Sequence, residues 1–260
     1  MKLIKIPFAG GGLGKAESAE KGPDKVIEQM HDLFLNEAGF NPAFEIDEVK
    51  VDNSNIDDTN KAIFEKISNL KEKAIIIGGD HSITYSCFKA FVKNNPGAGL
   101  VIFDAHPDLE VGLDTPTQED YTRLLIKQGL LDPKKLILIG IRNWHGYEKE
   151  FILQNNIKYF DMKKIANIGV NEVCDTIMEE INQWPSFYLS IDIDAVDPAF
   201  APGTGYREPG GLTSRELITM LQRLKILKNL GMIDLVEIAP DKDIADLTSK
   251  LGAKIIKELG

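Results

Sequence analysis

Asp104-Ala105-His106-Pro107-Asp108 follows the apolar run Leu100–Phe103 without a break. In extended backbone, residues two apart face the same way, so Asp104, His106 and Asp108 can converge just past a strand end. The run Phe187–Ile193 repeats the device with two carboxylates, Asp192 and Asp194. A third run, Ala74–Ile77, ends in Gly78-Gly79-Asp80-His81-Ser82, where the glycine pair permits a tight turn that brings His81 over the strand end. Hard oxygen donors mixed with imidazole suit manganese or a similar divalent ion, and the lack of thiolate argues against structural zinc. The Asp charges would repel strongly at one edge unless cations neutralise them. Two ions about 3.5–4 Å apart can share a bridging hydroxide whose pKa is low enough to make it a nucleophile near neutrality. Asp80 is expected to orient His81, and Asp197 and Pro198 to shape a loop.

The elements that must position these groups are short apolar runs: Leu3–Phe8, Phe44–Val51, Ala74–Ile77, Leu100–Phe103, Leu136–Ile141, Ile157–Phe160, Phe187–Ile193 and Met232–Ile238. Stretches with helical spacing lie between them. In Thr213–Leu230, Leu217, Met220, Leu221, Leu224, Leu227 and Leu230 form one stripe, and Thr213 with Glu216 fits a capping box at its start. Alternation of strand and helix predicts an α/β fold with a parallel sheet. Periodicity leaves open whether about eight such units close into a barrel or lie flat between helix layers. Both arrangements put ligands at the carboxyl ends of the strands. No linker, repeat or low-complexity tract interrupts the chain, so residues 1–260 read as a single domain.

The formal net charge is −10, with 40 acidic and 30 basic side chains, and no basic cluster offsets it. That excludes general binding to nucleic acid or to an anionic membrane. No apolar run approaches the ~20 residues that span a bilayer. The N-terminal MKLIKIPFAGGG reads as a first strand and not a signal peptide, and the expected compartment is the cytoplasm. Cys87 and Cys174 sit in helical patterns and are expected to be buried, reduced thiols.

Gly78–Ser82, Asp104–Asp108 and the long block Ser190–Glu216 resemble the three signature blocks of the ureohydrolases, the family of arginase, agmatinase, guanidinobutyrase and formimidoylglutamase. Glu20–Pro23 resembles the family's entry to its first helix, and Asp234–Pro240 its last core strand. The resemblance covers nearly the whole chain. It implies a three-layer α/β/α sandwich with a roughly eight-stranded, mostly parallel sheet. It also implies two manganese or similar divalent ions. His81, Asp104, Asp108 and Asp192 would hold or bridge one, and Asp104, His106, Asp192 and Asp194 the other. The implied reaction is cleavage of a C–N bond in a small guanidino or amidino compound by a metal-bridging hydroxide. Glu237 matches the glutamate that pairs with the guanidinium group. A homo-oligomer, trimer or hexamer, is implied by the same resemblance.

The chain departs from that pattern where the family carries a His-Gly pair that passes a proton to the leaving amine. Here the segment Leu109–Tyr121 has no histidine, and the register puts Gln118 or Glu119 at that place, ahead of a helix beginning near Gln118. His145, after the run Leu136–Arg142, could replace the missing group; His31 reads as structural. The loop also lacks the Asn and Ser pattern with which arginase reads an α-carboxylate, so arginine is expected to be a poor substrate. Arg207 and Arg142 could hold an anionic tail or simply brace loops. The alternatives are a hydrolase of another amide or imino substrate on the same scaffold, and a metal-binding pseudoenzyme without the proton shuttle.

Overall fold

In the computed structural model, which describes residues 1–260 except 16 and 113, a strand forms at each of the apolar runs. They are β1 (Lys2–Ile6), β2 (Glu45–Glu48), β3 (Ala74–Gly78), β4 (Gly99–Phe103), β5 (Leu136–Ile141), β6 (Lys158–Asp161), β7 (Phe187–Asp192) and β8 (Leu230–Val236). All pair in parallel in one eight-stranded sheet of order β2-β1-β3-β8-β7-β4-β5-β6, which is open and has edges at β2 and β6. Neighbouring residues on a strand feed opposite layers. Ile75, Ile77, Val101 and Phe103 pack with α1 (Gly22–Met30), α6 (Met162–Ile168), α7 (Val170–Ile181), α8 (Ser214–Lys225) and α9 (Leu247–Leu259). Ala74, Ile76, Leu100 and Ile102 pack with α2 (Ile56–Ser68), α3 (Ile83–Asn94), α4 (Tyr121–Lys127) and α5 (Gly146–Gln154). Burial on both faces is why the central strands read as unbroken apolar runs and do not alternate. The result is the three-layer α/β/α sandwich.

Boundaries move for local reasons. The capping box holds: Thr213 Oγ1 accepts from the Glu216 N–H at 3.1 Å, and Glu216 Oε2 accepts from the Thr213 N–H at 2.8 Å. Helix α8 nevertheless stops at Lys225, because Leu230 is already paired with Phe187 in the sheet. Strand β8 ends at Val236 and not Ile238, since Glu237 turns left-handed with φ 65°. The edge strand β2 is shorter than Phe44–Val51 and pairs only with β1. Cys87 on α3 and Cys174 on α7 are buried free thiols, as expected. Among the described residues, no helix is long and apolar enough to cross a membrane.

The topology creates the site. From β3 the chain crosses through α3 in one layer and returns as β4, leaving two places in the sheet that β7 and β8 later fill. The crossover from β7 to β8 runs through α8 in the opposite layer. The carboxyl ends of β3, β8, β7 and β4 therefore stand side by side at one sheet edge, where open α/β sheets form their crevice.

The β3 end needs glycine for space. A Cβ on Gly79 would lie 1.9 Å from the Phe8 carbonyl oxygen. That oxygen accepts from the Asp80 N–H at 2.8 Å, and Gly79 N–H donates to Ile6 O at 3.0 Å. The β1 and β3 ends are thus clamped together beneath His81. Gly79→Ala is expected to destabilise the fold by about 3 kcal/mol through overpacking and to weaken manganese binding in the same variant. Thermal melts with and without manganese check this; an unchanged melting temperature in both would contradict the clamp.

Candidate metal centre

The side chains named from the sequence do converge, but through turns more than through strand alternation. Asp104 follows the last residue of β4, and its Oδ1 accepts from the His106 N–H at 2.6 Å, which folds the chain back on itself. Asp108 is left-handed, with φ 52°. After β7, Asp192 Oδ1 accepts from the Asp194 N–H at 2.7 Å, and Ile193–Ala195 form one 3-10 turn. Asp194 in turn accepts from the Ala105 N–H at 3.0 Å, tying the β7 turn to the β4 turn. Left-handed non-glycine residues cost energy, and two of them, Asp108 and Glu237, sit here.

Two groups of donors result. His81 Nδ1 lies 3.0 Å from Asp104 Oδ2, 3.0 Å from Asp108 Oδ2 and 3.3 Å from Asp192 Oδ2. His106 Nδ1 lies 3.3 Å from Asp104 Oδ1 and 3.1 Å from Asp194 Oδ2. In His81–Asp104–Asp192 and in Asp104–His106–Asp194 the donor atoms all lie within 4.8 Å of one another. Asp104 belongs to both groups, one oxygen toward each.

The far side of His81 decides what its near side can do. His81 Nε2 meets Ser190 Oγ and Tyr121 OH, each at 2.9 Å. Ser190 gives its single proton to Asp234 Oδ1 at 2.6 Å. Toward His81 it can therefore only accept, so Nε2 carries a hydrogen, and in the neutral ring Nδ1 presents its lone pair toward three carboxylates. Asp234 is wholly buried and also accepts from Thr84 Oγ1 and Tyr188 OH, each at 2.7 Å. Lone pairs facing carboxylates are repulsive, and both His81 Nδ1 and Asp108 Oδ2 are buried without a hydrogen-bond partner. A divalent cation between them satisfies both, so this donor set fits a metal ion.

The acidities agree. Burial raises the pKa of Asp192, Asp108 and Asp194, and the charges of their neighbours raise it further: Asp194 and Asp104 for Asp192, Asp104 for the other two. Burial also works against charge on Asp104, but above all its hydrogen bond with His106 outweighs it and holds that carboxyl below its ordinary range. For His106, burial favours the neutral ring, yet the charges of Asp194 and Asp104 prevail and push its pKa up. Positive charge is what this edge lacks.

A cavity of about 130 Å³ opens onto both imidazoles and is lined further by Glu110, Gln118, Glu119, Trp144, His145, Tyr206 and Glu237. Glu237 Oε1 accepts from the His81 N–H at 2.7 Å. Of the two positions proposed for the missing histidine, Gln118 is the buried one, 4% exposed, with neither amide atom hydrogen-bonded. Glu119 instead accepts from Tyr206 OH at 2.7 Å. The helix after them starts at Tyr121, three residues later than expected. His145 is at the cavity rim, its Nε2 3.3 Å from Glu110 Oε1.

Other expectations shift. Arg207 is not among the residues lining the cavity; its guanidinium donates to the Pro202 and Lys242 carbonyls, each at 2.7 Å. Arg142 is a brace as well, donating to Asp194 O at 2.6 Å and Glu208 O at 2.7 Å. Asp80 does not touch the His81 ring. Its carboxylate accepts from Ser82 and, at 2.8 Å, from the Gly11 N–H, so it holds the loop while Ser190 and Tyr121 orient the ring. Asp197 shapes its loop as expected, accepting from Ala199, Gly210 and Gly211 N–H groups. His31 is exposed at the end of α1. Ser190 and Asp234 escaped notice in the sequence, although a serine and an aspartate inside apolar runs were a usable signal.

The Arginase family model matches residues 1–260. The arginase of Staphylococcus aureus (strain MRSA252) is 32% identical over 212 residues, which cover 76% of this chain and 70% of that protein. The guanidinopropionase of Pseudomonas aeruginosa is 30% identical over 280 residues, covering 99% of this chain and 84% of that protein. The crystal structure of formimidoylglutamase from Bacillus subtilis superposes with a TM-score of 0.91 at 23% identity, covering 99% of this chain and 85% of that one.

Because Asp104 serves both donor groups and Asp108 touches only one, their variants should differ. Asp104→Asn is expected to lose most bound manganese, and Asp108→Asn to lose about half of what the wild type holds. Metal analysis after manganese loading and desalting checks this. Equal retention in the two variants would contradict the shared role of Asp104.

Proposed function

The chain belongs to the arginase family, and from that premise we propose that it is a two-manganese hydrolase that cleaves a C–N bond of a small guanidino compound. The observation that carries the reading is the pair of donor groups joined by Asp104, with Glu237 beside them in the same cavity. A divalent pair bound there supplies electrophilic charge and a water acidic enough to attack near neutral pH.

The remaining work falls to the chain's own residues. Glu237 holds the planar cation. Its carboxylate is anchored by the His81 N–H, and burial, with the charges of Asp192 and Asp80, raises its pKa well above the ordinary range. A carboxylate so placed gains much from a cationic partner, and a guanidinium offers the paired N–H groups that suit it. Asp104 and Asp192, fixed by their own turns, would hold the ions beside Glu237 and so set the bound cation next to the water they would supply. The new C–O bond forms at the guanidino carbon, the C–N bond breaks, and the departing nitrogen takes a proton to leave as an amine. Gln118 is no acid, so that proton comes by another route; His145 at the rim, paired with Glu110, is the proposed carrier.

A second reading, a metal-binding protein without turnover, draws on the same Gln118. Both readings meet in one assay. The manganese-loaded protein is offered arginine, agmatine, guanidinobutyrate, guanidinopropionate and formiminoglutamate, and product amine is measured. At least one is expected to turn over, with arginine among the slowest; no turnover on any would overturn the proposed activity.

For the accepted substrate, Glu237→Gln is expected to lower kcat/KM by about 10- to 100-fold, the effect of losing one charge-assisted contact. Metal content should stay intact, because a glutamine oxygen can still accept from the His81 N–H. His145→Ala is expected to lower kcat by at least ~100-fold if it carries the proton. Unchanged kcat in that variant would remove His145 from the mechanism.

A further inference from the structure

Guanidinium recognition uses one carboxylate, Glu237, but the cavity presents more. Glu110 and Glu119 also line it, on the two ends of the loop that leads to α4. Their backbones meet, Glu110 N–H donating to Glu119 O at 3.0 Å, so the two side chains share one stretch of the wall. Glu148, the other glutamate there, is already engaged, accepting from the Leu109 and His145 N–H groups at 3.0 and 2.8 Å. Lysine and arginine are absent from the lining among the described residues, and Arg142 and Arg207 spend their guanidinium groups on backbone carbonyls. A carboxylate-tailed ligand would meet two like charges and no fixed cation.

A second observation points to a ligand at the same wall. Gln118, next to Glu119 in sequence, is 4% exposed, lines the cavity and has neither amide atom hydrogen-bonded by the protein. An unpaired buried amide costs free energy unless a ligand or water completes it. Its oxygen can accept an N–H from a bound molecule. Glu119 and Glu110 are held ready for a cation: Tyr206 OH donates to the first and Tyr147 OH to the second.

We infer that Glu110, Glu119 and Gln118 read a second positive charge, so that the site takes a guanidino compound whose far end is an amine and not a carboxylate. This rests on the proposed guanidino hydrolysis and narrows its substrate class. His145 beside Glu110 is the one rim group that could instead favour a carboxylate tail, and the experiment separates the two.

The test uses the manganese-loaded protein and three probes with the same four-carbon chain: 4-aminobutylguanidine, butylguanidine and 4-guanidinobutanoate. Turnover gives kcat/KM for each, and calorimetric titration with 1,4-diaminobutane, butylamine and 4-aminobutanoate gives affinities independent of chemistry. The amine tail is expected to be preferred over the plain chain by about 10- to 100-fold, and the carboxylate tail to be worst. The amine-to-plain ratio should shrink by about tenfold in Glu119→Gln and in Glu110→Gln, and should fall as salt is raised. Equal handling of amine and plain chains, or preference for the carboxylate, overturns the inference while leaving guanidino hydrolysis standing. Turnover of none of the three, together with no affinity for 1,4-diaminobutane, overturns the inference and counts against the proposed activity as well.

Discussion

Three aspartates, Asp104, Asp108 and Asp192, face Nδ1 of His81 across 3.0–3.3 Å, buried from water. At such distances like charges and lone pairs repel by several kcal/mol even at an effective dielectric constant near 20. The protein holds them there regardless. Two left-handed residues, a glycine with no room for a side chain, and turns closed by Asp104 and Asp192 all spend stability to keep the groups together. An edge built this way suits bound cations, which would relieve that repulsion. The sheet follows the same requirement, since the strand order sets the carboxyl ends of β3, β8, β7 and β4 side by side.

Behind the edge, a second set of bonds removes choice from His81. Ser190 on β7 and Asp234 on β8 are partners across the sheet ladder, and both are fully buried. Three hydroxyls donate to Asp234, which leaves Ser190 only its lone pairs for His81. The hydrogen on His81 Nε2 is thereby held by a chain that ends in a buried carboxylate, a common way for proteins to orient metal-ligating imidazoles. In front of the edge lies the wall of glutamates that gives the cavity its charge. Hydroxyls behind the ring, carboxylates around it and glutamates in the cavity wall thus form three successive layers.

Much of this was legible in the sequence. Each apolar run marked a strand because a parallel sheet covered on both faces leaves no solvent face to break the run. The convergence of the donor residues was legible because they follow strand ends within a few residues. The reason given for their convergence was incomplete: Asp194 and His106 reach the site through side-chain-closed turns, which alternation along a strand does not describe. Contacts between distant segments were hidden. Nothing near Tyr121 marks it as a partner of His81, forty residues earlier in the chain. The roles of Arg142 and Arg207 depended on which carbonyls lay in reach, and only the folded loops decide that. Periodicity could not choose between a closed barrel and an open sheet, because both bury each strand on two faces.

The central claim is that the edge is a two-ion site bridged by Asp104. It is tested most directly by diffraction from manganese-soaked crystals, with data collected on either side of the manganese absorption edge. The account predicts two anomalous peaks about 3.5 Å apart. One would lie among His81, Asp104, Asp108 and Asp192, and the other among Asp104, His106, Asp192 and Asp194. A single peak, or two peaks that do not share Asp104, would contradict it.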